Sequence, residues 1–223
     1  MKKNHSPHVS HEAGACPLCQ TLNSAKFCQD TRRCFLRCPT CQLVYVTPHQ
    51  FLSSEREKAR YDQHCNDPED EGYRRFLNRL FLPLNQRIAP QSHGLDFGSG
   101  PGPTLHLMFE ATGHSMEIYD CFYAREASLL EKKYDFITAT EVLEHLHQPQ
   151  QEITRLWHCL KSGGWFGIMT KLVDNRERFL KWHYKNDLTH VCFFSKKTFQ
   201  WLAALWQAEL TFIGDDVILM HKP

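Results

Sequence analysis

LDFGSGPGP, residues 95–103, narrows what this chain can become more than any other stretch. It closes a short apolar run, HGLDF, and leads into a helical face of Leu105, Met108, Phe109 and Thr112 that Gly113 ends. A strand passing through a glycine turn into a helix is the opening unit of a doubly wound sheet, and ligands bind at that turn. Glycine there lets backbone amides approach a ligand with no Cβ in the way. The spacing discriminates between ligands. A dinucleotide loop, G-x-G-x-x-G, needs glycine at 103, where Pro103 stands, and a phosphate loop needs a terminal Gly-Lys-Ser/Thr, which is absent. What is present is D-x-G-x-G-x-G: Asp96, Gly98, Gly100 and Gly102, with Ser99 between the first two glycines.

An acidic residue opening such a loop suits a cationic amino group better than a pyrophosphate. Asp120 ends the next strand, SMEIYD, where a carboxylate can accept both hydroxyls of a ribose. Ribose and ammonium without phosphate describe S-adenosylmethionine; the plain alternative is that the glycines only make a tight turn. Strands and helices alternate onward. YDFITAT and WFGIMT read as strands, with a helix between them that starts at Pro149, carries Ile153, Leu156, Trp157 and Leu160, and stops at Gly163-Gly164. Ser195 caps a helix bearing Phe199, Leu202, Ala203 and Trp206, and TFIGDDVILMH reads as two strands around a turn. Upstream, Tyr73, Phe76, Leu77, Leu80, Phe81 and Leu84 form an amphipathic stripe that Pro83 ends or kinks. The alternation predicts an α/β fold, a mainly parallel sheet with helices on both faces.

LDFGSGPG, the strand-ending Asp120, YDFITATEVLEHL and LKSGGWFGIMT, in that order, resemble the successive motifs of class I S-adenosylmethionine-dependent methyltransferases over roughly residues 70–223. The resemblance implies a Rossmann-like, doubly wound, seven-stranded sheet with a reversed last strand. It also implies that Asp96, Gly98, Ser99, Gly100 and Gly102 hold the methionine part of the cofactor and that Asp120 holds the ribose. Only residues 121–133 separate Asp120 from the next strand, so the third-strand region is expected to be shortened and no adenine partner is assigned.

In YDFITATEVLEHL, Glu141, Glu144 and His145 follow the strand at i, i+3 and i+4, a spacing that a helix would place on one face. Three roles fit. His145 suits general-base work near neutral pH. The two carboxylates and the imidazole suit a hard divalent ion such as Mg²⁺ that acidifies an acceptor hydroxyl. Alternatively, Glu141 closes the cofactor pocket while Glu144 and His145 only cap a helix. The E-x-x-E-H pattern is similar to a magnesium site of quinone-biosynthesis O-methyltransferases and small-RNA 2′-O-methyltransferases. A later stretch, KWHYKNDLTHVCFFS, residues 181–195, gathers Trp182, Tyr184, Asp187, His190 and Phe194 and resembles a segment of quinone-methylase-like enzymes. His190 there is a further ligand, a base, or a loop-pinning histidine, and the aromatic residues line a site or fill the core.

Four of the ten cysteines form CPLC (Cys16, Cys19) and CPTC (Cys38, Cys41), the spacing of two thiolate turns that share a structural Zn²⁺. The others, Cys28, Cys34, Cys65, Cys121, Cys159 and Cys192, stand singly and read as reduced thiols, which places the chain in the cytoplasm. The expected organisation is a disordered tail (1–14), a zinc ribbon (15–47), a charged linker or cover (48–72) and the methyltransferase domain (73–223). Arg32, Arg33 and Arg37 make the ribbon locally basic, which suits phosphate contact or simple solvation. The net charge of +1 gives no general nucleic-acid footprint, and no apolar run reaches the ~20 residues that cross a bilayer. The polar, His-rich start lacks the apolar core of a signal peptide. The expected activity is methylation of oxygen or carbon on a small-molecule acceptor, with RNA methylation guided by the ribbon, or non-catalytic cofactor binding, as the alternatives.

Overall fold

A computed structural model describes residues 14–63 and 66–223. The expected tail lies outside these residues apart from Gly14, as does Cys65. The chain opens on a hairpin of β1 (Ala25–Gln29) and β2 (Cys34–Arg37), paired antiparallel. Its turn is set by Asp30, whose Oδ1 accepts the amides of Arg32 and Arg33 at 2.8 Å each, the local bonding that makes Asp a turn former. β3 (Val44–Tyr45) pairs with β2, and helix α1 (Ser54–Tyr61) follows. Helix α2 (Glu71–Asn85) is capped by the Asp70 carboxylate, which accepts from the Gly72 and Tyr73 amides. It runs two residues past Pro83 before it ends.

The large sheet takes β4 (His93–Phe97), β5 (Ser115–Tyr119), β6 (Tyr134–Thr140) and β7 (Leu160–Met169), with helix α3 (Leu105–Glu110) between β4 and β5 and α4 (Pro149–Cys159) between β6 and β7. Helix α5 (Arg176–Lys181), the two-residue β8 (Cys192–Phe193), α6 (Lys196–Trp206), β9 (Glu209–Ile213) and β10 (Val217–His221) complete the chain. The strand order is β5-β4-β6-β7-β10-β9. Pairing is parallel from β5 to β7, and β10 is reversed between β7 and β9. Among the described residues this sheet has six strands rather than seven. Residues 121–133 hold a turn and a short 3₁₀ segment, Ala127–Glu131, and β5 is left as the edge strand. The shortened third-strand region is thus a real feature of the fold.

Alternation along the strands explains the layering. Leu95, Ile137, Ala139, Phe166, Ile168, Ile218 and Met220 face one way and pack with Ile153, Leu156 and Trp157 of α4 and Phe199 and Leu202 of α6. Phe136, Met169, Val217 and Leu219 face the other way, against Leu77, Leu80 and Leu84 of α2 and Leu105, Met108 and Phe109 of α3. Helix α4 ends at Cys159, earlier than Gly163-Gly164 suggests, because Leu160 already extends into β7.

The second sheet has the order β1-β2-β3-β8, so its last strand comes from the far end of the chain. Val44 pairs with Phe193 and Tyr45 with Cys192, and the Val46 amide donates to the Val191 carbonyl at 3.0 Å. Phe27, Phe35, Phe179 and Phe193 meet edge to face beneath this sheet at ring separations of 5.0–5.7 Å. The cysteine segment therefore shares one apolar core with the α4–α6 face of the large sheet.

Candidate active site

A cavity of about 680 Å³ opens at the carboxyl ends of β4, β5 and β6, the crevice where ligands of doubly wound sheets bind. Gly98, Ser99 and Gly100 form its floor, Asp120 to Tyr123 one wall, and Thr140 to Val142 with His145 another. Glu57 and Tyr61 of α1, together with Tyr73 and Phe76 of α2, cover it.

Gly98 has a φ of +80°, and a Cβ there would sit 2.4 Å from Val142 Cγ2; only glycine lets the loop pass so close to the β6 exit. Gly102 does a different job: a Cβ would strike the Asn66 carbonyl at 2.0 Å, so this glycine makes room for the cover segment. Asp120 braces the loop. Its Oδ2 accepts the Gly100 amide at 2.9 Å, and its Oδ1 accepts Phe122 and Tyr123 at 2.8 and 3.1 Å. Asp96 lies behind the cavity wall rather than on it, 4% exposed, accepting the Thr138 hydroxyl at 2.7 Å. Burial raises its carboxyl to about 6, against the pull of Thr138 and with a further push from Asp120.

Glu141, Glu144 and His145 do come together, but not along one helix face. Glu141 sits at φ +52° outside any helix, its amide bonded to the Met169 carbonyl, and Leu143–His145 is a single 3₁₀ turn. Glu144 is fully buried: Thr170 donates to Oε2 at 3.0 Å and the Tyr184 hydroxyl donates to Oε1 in a very short contact. The Tyr184 hydroxyl oxygen also lies 3.2 Å from Glu141 Oε2. Burial pushes both carboxyls up, and Glu144 adds its charge to the rise at Glu141.

The segment holding His190 folds back over this pair. One ligand atom each of Glu144, His145 and His190 lies within 4.8 Å of the others. The His190 Nδ1 is 2.7 Å from the Tyr184 carbonyl and the His145 Nδ1 is 3.2 Å from the Thr189 carbonyl. A carbonyl only accepts, so each Nδ1 carries a proton, and on the neutral His190 ring Nε2 keeps its lone pair. Burial, then the neighbouring His145, holds His190 neutral at ordinary pH.

Of the residues singled out in the sequence, Gly98, Ser99, Gly100, Asp120, Glu141, His145 and His190 line the cavity, whereas Asp96 and Glu144 are buried behind its wall and Gly102 lies against the cover segment. Asp187 also lines it, Tyr184 bridges the glutamates, and Phe194 is core. Thr170, Glu57 and Tyr61 escaped sequence reasoning. Thr170 is a polar residue directly after an apolar strand, a position that points into the crevice of a parallel sheet. Glu57 and Tyr61 lie on a charged helix with no motif.

The cofactor and metal candidates fit what is there. Ser99 Oγ, Thr140 Oγ1 and Glu141 Oε1 are buried in the cavity wall without a hydrogen-bond partner, a state that native proteins seldom leave uncompensated. At the other site, Cys16 and Cys41 Sγ stand 3.6 Å apart and Cys19 and Cys38 Sγ 3.4 Å. Four thiolates ~2.3 Å from a central Zn²⁺ would lie about 3.8 Å from one another. Arg33, by contrast, is no phosphate contact: it is 4% exposed and turned inward against the His190 segment. Arg37 lies over the Phe27 ring.

A family model described as a methyltransferase domain matches residues 63–211, well over half of the chain. No curated protein matches. Among solved structures, human N-acetylserotonin methyltransferase in complex with S-adenosylmethionine superposes with a TM-score of 0.51 at 15% identity, over 66% of this chain and 51% of that one. An S-adenosylmethionine-dependent methyltransferase from Archaeoglobus fulgidus gives 0.51 at 15% identity, over 67% and 94%. The Burkholderia thailandensis 1,6-didemethyltoxoflavin-N1-methyltransferase, with S-adenosylhomocysteine bound, covers 86% of this chain and 96% of its own at 16% identity and a TM-score of 0.49. At such identities the likeness to the first two is one of fold, and it agrees with the family match and the strand order: the chain belongs to the class I S-adenosylmethionine-dependent methyltransferases.

Proposed function

We propose that the chain transfers the methyl group of S-adenosylmethionine to an oxygen or carbon atom of a small-molecule acceptor, with Glu141, Glu144, His145 and His190 as the reaction centre. The observation that carries this reading is the convergence of Glu144, His145 and His190 within 4.8 Å beside the same cavity that the glycine loop floors. The bound sulfonium is already an activated methyl donor, so the protein has only to align the acceptor and receive its proton.

The chain's own residues divide that work. Gly98, Ser99 and Gly100 present backbone and hydroxyl groups to the donor, and Asp120 faces the ribose with the acceptor capacity its three amide bonds leave. Asp96 acts on the ammonium through its charge from behind the loop. Tyr184 and Thr170 hold Glu144 in one rotamer, while the two loop carbonyls aim the imidazole Nε2 atoms. Two carboxylates and two imidazoles are a donor set for a divalent cation such as Mg²⁺ or Mn²⁺, and the partnerless Glu141 Oε1 is available to it. Such an ion lowers the pKa of an acceptor hydroxyl. The acceptor lies under Tyr61, Tyr73 and Phe76, whose rings favour a planar or apolar body. The four cysteines hold a structural Zn²⁺.

The test is transfer of labelled methyl from S-adenosylmethionine into a metabolite extract, with and without chelator, followed by Mn²⁺ or Mg²⁺ add-back. Wild-type protein labels a small molecule, and Glu144→Gln lowers the rate at least 100-fold while donor affinity stays within about twofold. Label in RNA instead would replace the acceptor class. Full activity under chelator would leave His145 or His190 as the base and remove the metal.

A further inference from the structure

The loop that carries His190 is held from two sides. On its cavity side, the Tyr184 and Thr189 carbonyls take the Nδ1 protons of His190 and His145. On the opposite side, the carbonyls of Lys185, Asp187, Leu188 and His190 all point at one place, and the guanidinium of Arg33 fills it. Nη1 donates to His190 at 2.8 Å and to Leu188 at 3.4 Å, and Nη2 donates to Asp187 at 2.9 Å and to Lys185. Four inward carbonyls repel one another unless a cation sits among them. Residues His183–Asn186 form a 3₁₀ turn whose carboxyl end carries partial negative charge. A planar fork of five N–H donors serves this geometry; an ammonium, with three donors at one point, does not.

Arg33 cannot wander. Its backbone amide donates to Asp30 and its guanidinium lies 5.2 Å from the Phe35 ring centre. Lys185, 5% exposed, reaches back from the loop to Asp30 Oδ2 at 2.8 Å. Beyond the loop, the Val191 amide donates to the Glu144 carbonyl at 2.8 Å, and β8 joins the sheet of the cysteine segment. The segment thus reaches the catalytic-loop side of the cavity through this loop clamp and strand pairing, while the Gln150 amide, donating to the Pro17 carbonyl at 3.2 Å, ties it separately to the start of α4.

We propose that Arg33 is a positioning residue: held on the β1–β2 turn of the cysteine segment, it fixes the 184–190 loop and so sets where His190 and His145 present their Nε2 atoms. Its importance for catalysis rests on the reading of the Glu/His cluster as the reaction centre; its hold on the imidazoles does not. On this assignment the cysteine segment is part of the active-site scaffold rather than an arm for macromolecular recognition.

Long-range ¹H–¹⁵N spectra of the histidine rings in the full chain test this directly. In the wild type, His190 and His145 show rings protonated at Nδ1, and the His190 ring is neutral. In Arg33→Lys the His190 signals shift or broaden through exchange, with the thermal transition still cooperative and S-adenosylmethionine affinity, by calorimetry, within about twofold. Mn²⁺, read by its electron paramagnetic resonance, binds about tenfold or more weakly, the usual effect of losing a group that orients a ligand. Arg33→Gln, which keeps two N–H donors and loses the charge, moves the same ring signals, and it decides the matter if the lysine variant does not fold; Lys185→Met, which leaves Arg33 in place, moves them less. Unmoved His190 signals in a folded Arg33→Lys, or in Arg33→Gln when that is the only folded variant, overturn the assignment. A wild type that binds no Mn²⁺ yet shows the ring shifts in the variant contradicts the metal centre and leaves Arg33 in its role.

Discussion

At the residue scale, two positions near the donor have sharply opposed demands. Gly98 is needed for its missing Cβ: alanine there meets Val142 at 2.4 Å and must hold φ near +80°. Gly98→Ala is expected to cost about 1–3 kcal/mol and to weaken S-adenosylmethionine binding at least tenfold, as read by calorimetry; unchanged affinity would remove the loop from the site. Asp96 is needed for its charge, at a cost to the empty protein. Burial raises its folded-state pKa to about 6, above its unfolded value, so the folded chain keeps the proton and penalises the anion. Stability from this group therefore falls as pH rises from about 4 through about 6 and stays lower beyond. Asp96→Asn keeps an acceptor for Thr138 and lifts the melting temperature at pH 8, with the gain vanishing below about pH 4, while donor affinity drops about tenfold. Scanning calorimetry at both pH values checks the first part, and a lower melting temperature at pH 8 would contradict it.

At the element scale, the strands, the long helices and the glycine turn were legible because each is dictated locally. Ser195 is an instance: its hydroxyl accepts the Thr198 amide at 3.2 Å and Thr198 returns a bond, so α6 begins where the sequence says. Ser195→Ala should cost about 1 kcal/mol, a fall of roughly 2–4 °C in melting temperature; no change would mean that packing alone starts the helix. The Glu141–His145 cluster was legible as a set of residues but not as a shape. Its i, i+3, i+4 spacing suggests a helix, yet a tertiary bond to the Met169 carbonyl holds Glu141 outside the 3₁₀ turn. The contact of Arg33 with a loop more than 150 residues away has no local signal at all, because surface charge and a buried carbonyl clamp look the same in a string of letters. The two-residue β8 is equally silent: it exists only because β3 offers an edge.

At the scale of the whole molecule, one shared core and the pairing of β8 with β3 join the cysteine segment to the elements around the candidate site. Among the described residues no helix is long and apolar enough to cross a membrane. If Cys16, Cys19, Cys38 and Cys41 hold Zn²⁺, purified protein carries about one ion per chain. Stripping it with an organomercurial, or making Cys38→Ser, should then abolish hydrogen-exchange protection in β1–β3 and in β8 together, because β8 has no other sheet to join. Protection that persists in β8 would separate the two units. The central claim is that the glycine loop and Asp120 hold the donor with its methyl group aimed at the Glu/His cluster. A crystal structure of the chain with S-adenosylmethionine is the direct measurement. The account predicts the amino acid part over Gly98–Gly100, the ribose at Asp120 and the sulfonium methyl facing Glu141, His145 and His190; a donor bound elsewhere, or with its methyl turned away from those side chains, would contradict it.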